Sequence, residues 1–248
     1  MRDRSTTQDQ RILGPVVTKH LVFSARACVV RQFRLAMTEP RSTGPRHLAV
    51  LQFKITLREV TPAVWRRIQI PAEGTFWDLH VAIQDAMGWT DSHLHAFQFA
   101  ERPRNEQIGI PTEDDLDAGV HVRAGWKVKV SKLLRKPGDE VVYLYDFGDD
   151  WTHDVLLEGL LLPESRVSYP RCLDGARRCP PEDCGGPDGY ERFLEEIADP
   201  RHPEHTSSLV WVGGSFDAEA FDPSAVVFED PAERWKVAFE PDPRRAGR

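Results

Sequence analysis

Hydrophobic and polar residues alternate along Leu51-Gln-Phe-Lys-Ile-Thr-Leu57, which puts Leu51, Phe53, Ile55 and Leu57 on one side of an extended chain. That is the pattern of a half-buried strand. Thr61-Pro62 turns the chain, and Val64 to Ile70 (V-W-R-R-I-Q-I) reads as the antiparallel partner, closed by Pro71 and Gly74. The period then changes. Thr75 with Asp78 three residues on predicts a capped helix start, Phe76, Leu79, His80, Ile83 and Met87 fall on one helical face, and Gly88 supplies the stop. The expected opening is β-β-α.

Trp89 to Phe99 (W-T-D-S-H-L-H-A-F-Q-F) continues as a strand with His93 and His95 on the same side, a pair that can chelate a metal or simply enter a sheet. His80, on the apolar helical face, is expected to be a hydrogen-bonded core residue. Arg102 to Gly119 reads as a solvated loop whose acids Glu113, Asp114, Asp115 and Asp117 lack calcium-loop spacing. Val128, Val130 and Leu133 mark a further strand before Pro137-Gly138.

Val141 to Asp154 alternates on both sides of Gly148-Asp149, a pair suited to a two-residue type II′ turn. That turn sets Phe147 opposite Asp150, Asp146 opposite Trp151 and Leu144 opposite His153. Asp146, Trp151 and His153 then share one face, and Tyr143, Tyr145, Phe147, Asp150 and Asp154 share the other. A carboxylate beside an imidazole fixes its tautomer and raises its basicity, so Asp146, Asp149, Asp150 and His153 are the candidate catalytic groups. The alternative is that the aspartates cap a tight turn and His153 hydrogen-bonds locally. Tyr143, Tyr145 and Trp151 are the candidate ligand or partner surface.

Next comes Cys172-x6-Cys179-x4-Cys184, interleaved with Pro180-Pro181 and Gly185-Gly186-Pro187. Zinc can organise such a loop through Cys172, Cys179, Cys184 and His153, since Cys₃His is a standard structural set, although no C-x₂-C spacing is present. The competing reading has prolines and glycines building the loop and the thiols serving as small buried hydrophobes. Helices are expected over Tyr190 to Ala198 and Thr206 to Val212, followed by a loop pinned by Phe216 and Phe221.

Charge divides the chain. Residues 1–46 hold nine Lys/Arg against three Asp/Glu, and the remainder 23 against 36, so a net charge of -7 separates into a +6 tail and a -13 body. An acidic body argues against broad contact with phosphate backbones, leaving nucleic acid to the tail alone. The expected division is a poorly ordered tail over 1–46, a single domain over 47–235 and a frayed end over 236–248. Met37 is a second natural start, and Cys28 is assigned nothing. Three of the four cysteines crowd into thirteen residues with no signal peptide, which points to a reducing cytoplasm. No apolar run approaches the ~20 residues needed to span a bilayer.

The blocks T-P-A-V-W-R-R-I-Q-I-P at 61–71, Y-L-Y-D-F-G-D-D-W-T-H at 143–153, C-P-P-E-D-C-G-G-P-D-G-Y at 179–190 and W-V-G-G-S-F-D-A-E-A-F-D at 211–222 resemble the plasmid pRiA4b ORF-3-like proteins, over about residues 48 to 230. The resemblance implies a compact α+β domain and a loose association with mobile elements and recombinase-like names. It implies no particular reaction, and no helix-turn-helix signature or arginine-flanked Ser/Tyr nucleophile accompanies it. The expected fold is α+β: the β-β-α opening, a mostly antiparallel sheet with a central hairpin, the Cys/Pro/Gly-rich loop and short C-terminal helices. The expected function is an accessory or binding domain for a protein, peptide or small cationic ligand, with zinc as a structural cofactor. A metal-dependent hydrolase or nuclease and a recombinase-associated factor are the alternatives.

Overall fold

The computed structural model describes residues 49–103 and 105–239. The basic tail with Cys28 and Met37, and the last nine positions, lie outside them. Among the described residues the strands are β1 (Val50–Leu57), β2 (Trp65–Pro71), β3 (His95–Gln98), β4 (Glu106–Gly109), β5 (His121–Ala124), β6 (Glu140–Tyr145), β7 (Trp151–Leu161) and β8 (Arg171–Ala176). The helices are α1 (Phe76–Met87), α2 (Glu113–Asp117), α3 (Gly186–Ala198), α4 (His205–Trp211) and α5 (Pro231–Phe239). The strands form one sheet in the order β5-β4-β3-β6-β7-β1-β2-β8. Every pairing is antiparallel except β4 with β5. The fold is α+β, as expected.

The sheet is one-sided. Leu51, Phe53 and Ile55 of β1, Ile68 and Ile70 of β2, and Val155 and Leu157 of β7 pack with Phe76, Leu79 and Ile83 of α1 in the main core. Fully burying each such side chain is worth about 1.5–3 kcal/mol. On the opposite face a polar ladder crosses four strands. Gln52 Nε2 donates to Glu158 (3.0 Å), Arg67 Nε to Glu158 (2.7 Å), Gln69 Nε2 to Gln52 (2.8 Å) and Arg171 Nε to Gln69 (2.7 Å). An antiparallel sheet with one wet face needs such an alternation.

The start of α1 is a capping box. Asp78 N donates to Thr75 Oγ1 at 3.3 Å while Thr75 N donates to Asp78 Oδ2 at 2.6 Å, and Gly88 ends the helix in the left-handed region at φ 88°. Arg66 enters the core at 1% exposure. Its guanidinium donates to the carbonyls of Ala86 (2.8 Å), Trp65 (2.8 Å) and Ala176 (3.0 Å) and lies 3.7 Å from the Phe221 ring centroid. Phe216 packs 5.1 Å from Phe193, so the two aromatics do pin the late loop.

Three local expectations are corrected. The strand over 89–99 is confined to β3, and residues 89–94 form a loop ahead of it. The segment 102–119 carries β4 and α2, whereas Val128 to Leu133 forms 3₁₀ turns and no strand. That segment ties itself to the start of α1, with Phe76 N donating to Val128 O (2.9 Å) and Val130 N to Gly74 O (3.0 Å), so its backbone is committed away from the sheet. At the C-terminus α5 runs to Phe239 over a second apolar cluster, in which Trp77 and Val81 meet Trp126, Trp235 and Phe239. No helix among the described residues is long and apolar enough to cross a membrane.

Candidate functional site

The central hairpin exists, but its register differs from the expected one. Tyr143 pairs with His153 and Tyr145 with Trp151, so the loop is the five residues Asp146 to Asp150. Asp146 (φ 57°) and Asp150 (φ 56°) both adopt the left-handed conformation that aspartate tolerates better than most residues. Asp150 N donates to Asp146 O at 2.7 Å and closes the loop. A one-residue change of register moves every side chain to the other face. Tyr143, Tyr145, Trp151 and His153 therefore share one face, all at 1% exposure or less. They are core and not the partner surface expected of Tyr143, Tyr145 and Trp151. Asp146 leaves the ladder and is not beside His153.

Each buried polar tip in this core needs a partner. Gln84 Nε2 donates to the Tyr143 hydroxyl (2.9 Å), which lies 2.8 Å from His80 Nδ1. His80 Nε2 lies 2.9 Å from Asp91 Oδ1, and Asp91 N donates to Gln84 Oε1 (3.2 Å). The arrangement that uses every proton has the Tyr143 hydroxyl donating to His80 Nδ1 and His80 Nε2–H donating to the Asp91 carboxylate. The ring of bonds is closed, with His80 in the core as its apolar helical face predicts. His95 stacks on His80 at 3.5 Å between centroids and 10° between planes. His153 Nδ1 lies 3.3 Å from Tyr143 O and its Nε2 makes no hydrogen bond. Burial holds its pKa down to about 4.

The cysteine loop docks across the same end of the sheet. Trp89 Nε1 donates to Pro180 O (3.0 Å), the Tyr145 hydroxyl and the Thr90 hydroxyl both donate to Glu182, and Gly185 N donates to Asp149 Oδ2 (3.0 Å). Gly186 sits at φ 70°, and a Cβ there would strike the carbonyl oxygen of Asp149. Only glycine fits this crossing of loop and turn.

The expected ligands Cys172, Cys179, Cys184 and His153 are not gathered. Cys172 lies on edge strand β8, Cys179 is buried in the main core and Cys184 is half-buried in the loop. Burial raises all three thiols, Cys184 to about 12 with the Asp149 charge adding to the effect. As protonated thiols they are poor nucleophiles. Among the described residues, the groups of three or more His, Cys, Asp or Glu donor atoms within 4.8 Å of one another are His80–Asp91–His95 and His93–Asp146–Asp183. Neither contains a cysteine or His153.

The second group brings three chain segments to one rim. His93, from the loop before β3, directs Nε2 to Asp146 Oδ2 of the hairpin loop (3.5 Å) and to Asp183 Oδ1 of the cysteine loop (3.4 Å). Asp146 is held by Gly148 N, which donates to its Oδ1 at 2.9 Å and leaves Oδ2 toward the histidine. Asp149, Asp150 and Glu182 lie on the same two loops, and the Arg192 guanidinium lies beside Gly185 and Gly189. His93 and His95 were expected on one side of a strand; the structure sends the first to this rim and the second to the core. Asp183, Glu182 and Asp91 were missed altogether. No sequence spacing links positions 93, 146 and 183, and only the block P-E-D-C-G-G offered a signal.

The class these features define is a one-sided α+β sheet protein whose distinctive motifs meet at a rim of three loops. The chain belongs to the plasmid pRiA4b ORF-3-like protein family, whose model matches residues 49–225. It is 37% identical over 191 residues to the uncharacterised protein y4hQ of Sinorhizobium fredii (strain NBRC 101917 / NGR234), covering 75% of this chain and 94% of that one. It is also similar to the crystal structure of MM3350, a protein of unknown function from Methanosarcina mazei Go1. The TM-score is 0.64 at 40% identity, over 73% of this chain and 98% of the other.

Proposed function

We propose that this chain is an accessory binding domain that presents its acidic, histidine-bearing rim to a cationic ligand. The observation that carries the reading is the meeting of His93, Asp146 and Asp183 from three separate segments, within a rim that also holds Asp149, Asp150 and Glu182. Carboxylates of one sign gathered at a surface raise the local potential and the local concentration of cations. Binding is favoured over hydrolysis by what the spare carboxylates do. Glu182 is engaged by Tyr145 and Thr90, and Asp149 by Gly185 N, so neither is poised as a general base. The structural zinc expected of the cysteines gains no support from their positions, and the recombinase-associated reading gains none from an acidic rim.

The test is titration of the full chain with spermidine, a lysine-rich peptide and divalent cations, against a variant carrying the exposed changes Asp150→Asn and Asp183→Asn. The expected result is binding of at least one cation that weakens about tenfold or more in the variant and with added salt. Equal binding of cationic and anionic probes, or an unaffected variant, would overturn the reading.

A further inference from the structure

The geometry points to a divalent transition-metal site, for zinc or a similar first-row ion, formed by His93 Nε2, Asp146 Oδ2 and Asp183 Oδ1. It rests on the cationic-rim reading and names the cation. His93 Nε2 lies 3.5 Å from Asp146 Oδ2 and 3.4 Å from Asp183 Oδ1. A histidinium paired with a carboxylate closes to about 2.7–2.9 Å. Here Nε2 stands off from both oxygens, is shut away from solvent and makes no hydrogen bond. The spacing instead matches the edge of a tetrahedron, about 3.4 Å when bonds from ion to ligand are about 2.1 Å. Asp146 is nearly buried, its side chain 10% exposed, and Gly148 N fixes its other oxygen, so the inner carboxylate is positioned before any ion arrives.

The other His–Asp group makes the contrast that selects this one. In His80–Asp91–His95 both nitrogens of His80 are already bonded, to Tyr143 and Asp91. The two imidazoles are parallel and 3.5 Å apart, and an ion bound in the plane of one ring stands a full stacking distance off the plane of the other. A shared ion at about 2.0–2.1 Å from each nitrogen is incompatible with that stack. At the rim the three donors come from different backbones, and Asp183, 73% exposed, is free to swing by the fraction of an ångström that ligation requires.

One nitrogen and two carboxylate oxygens suit zinc or manganese better than calcium or magnesium, which take oxygen ligands alone. Three protein donors leave the fourth position of a tetrahedral ion to water or to a donor atom of a ligand, the arrangement of an open site and not of a closed structural one.

The experiment is zinc binding to the chelator-stripped full chain, measured by competition with a chromogenic chelator, with cobalt substitution as a spectroscopic report of tetrahedral geometry. The expected result is one ion per chain, an intense visible cobalt band, and affinity reduced at least tenfold by His93→Ala and by Asp183→Asn, with Cys184→Ser unchanged. Asp183 is exposed, so its variant keeps the fold even where Asp146→Asn does not; circular dichroism verifies this. The inference is overturned if zinc binds equally well to the His93 and Asp183 variants, or if Cys184→Ser abolishes binding and those variants retain it. If the wild type takes no zinc but binds spermidine or the lysine-rich peptide at the rim, the metal site fails and the cationic-rim reading stands. If it takes no cation at all, both fail.

Discussion

Two clusters built from the same residue types come together at Asp91, His93 and His95 along the chain and have opposite characters. His80, Asp91 and His95 are buried, and His80 and Asp91 are tied into a closed ring of hydrogen bonds with Tyr143 and Gln84. His93, Asp146 and Asp183 sit at a loop rim with donor atoms that face one another and do not close. Histidine and aspartate do not by themselves announce chemistry. What separates a structural cluster from a working one is whether its protons and lone pairs are already spoken for.

Breaking the buried cluster should cost the most. His80→Ala removes the ring that joins Tyr143 to Asp91 and leaves the buried Tyr143 hydroxyl and Asp91 carboxylate without that partner. Chemical denaturation should show a loss of about 3–5 kcal/mol. A loss under about 1 kcal/mol would mean that the ring of bonds does not hold the core.

The next effect belongs to His153, which borders the same core. Its folded pKa of about 4 lies below the ordinary 6.5, so between those values the unfolded chain takes up a proton that the folded chain refuses. This contribution is therefore constant above pH 6.5, falls as the pH drops toward 4, and levels below it. Full expression amounts to about 3 kcal/mol. His153→Gln should flatten that part of the stability profile, and an unchanged slope would place the titration elsewhere.

Gly186→Ala tests the crossing of the cysteine loop and the hairpin loop. A side chain there meets the Asp149 carbonyl at a backbone φ of 70°, at an expected cost of about 1–3 kcal/mol, with the two loops pushed apart at the rim. Sharpest and smallest is His93→Ala. Its imidazole closes no hydrogen bond at Nε2, so stability should change by less than about 1 kcal/mol while cation binding is lost. A large destabilisation would move His93 into the structural group.

The sequence made the repeated local patterns legible. The alternation of β1 and β2, the Thr75–Asp78 capping box and the Gly88 stop all act over a few residues, so they are written where they act. The hairpin was legible as a hairpin but not in register. Its five-residue loop depends on Asp146 and Asp150 both accepting positive φ, which a Gly-Asp pair in the middle masks by offering a simpler turn. The parallel β4–β5 pair was invisible because each strand is four residues long in a polar stretch. His93 and the cysteine loop were both in view, yet their meeting depends on contacts 53 and 90 positions away, which no local pattern encodes.

One feature of the fold bears on anyone who would produce this protein in pieces. The family match ends at residue 225, whereas α5 covers Trp77 and Trp126 with Trp235 and Phe239, and Trp77 Nε1 donates to Pro231 O at 2.9 Å. Arg234 reaches back to Asp85 at 2.6 Å from the same helix. A fragment trimmed to the family boundary would bare two tryptophans on an otherwise finished surface. Its yield of soluble material should collapse, and extending it through Phe239 should restore it.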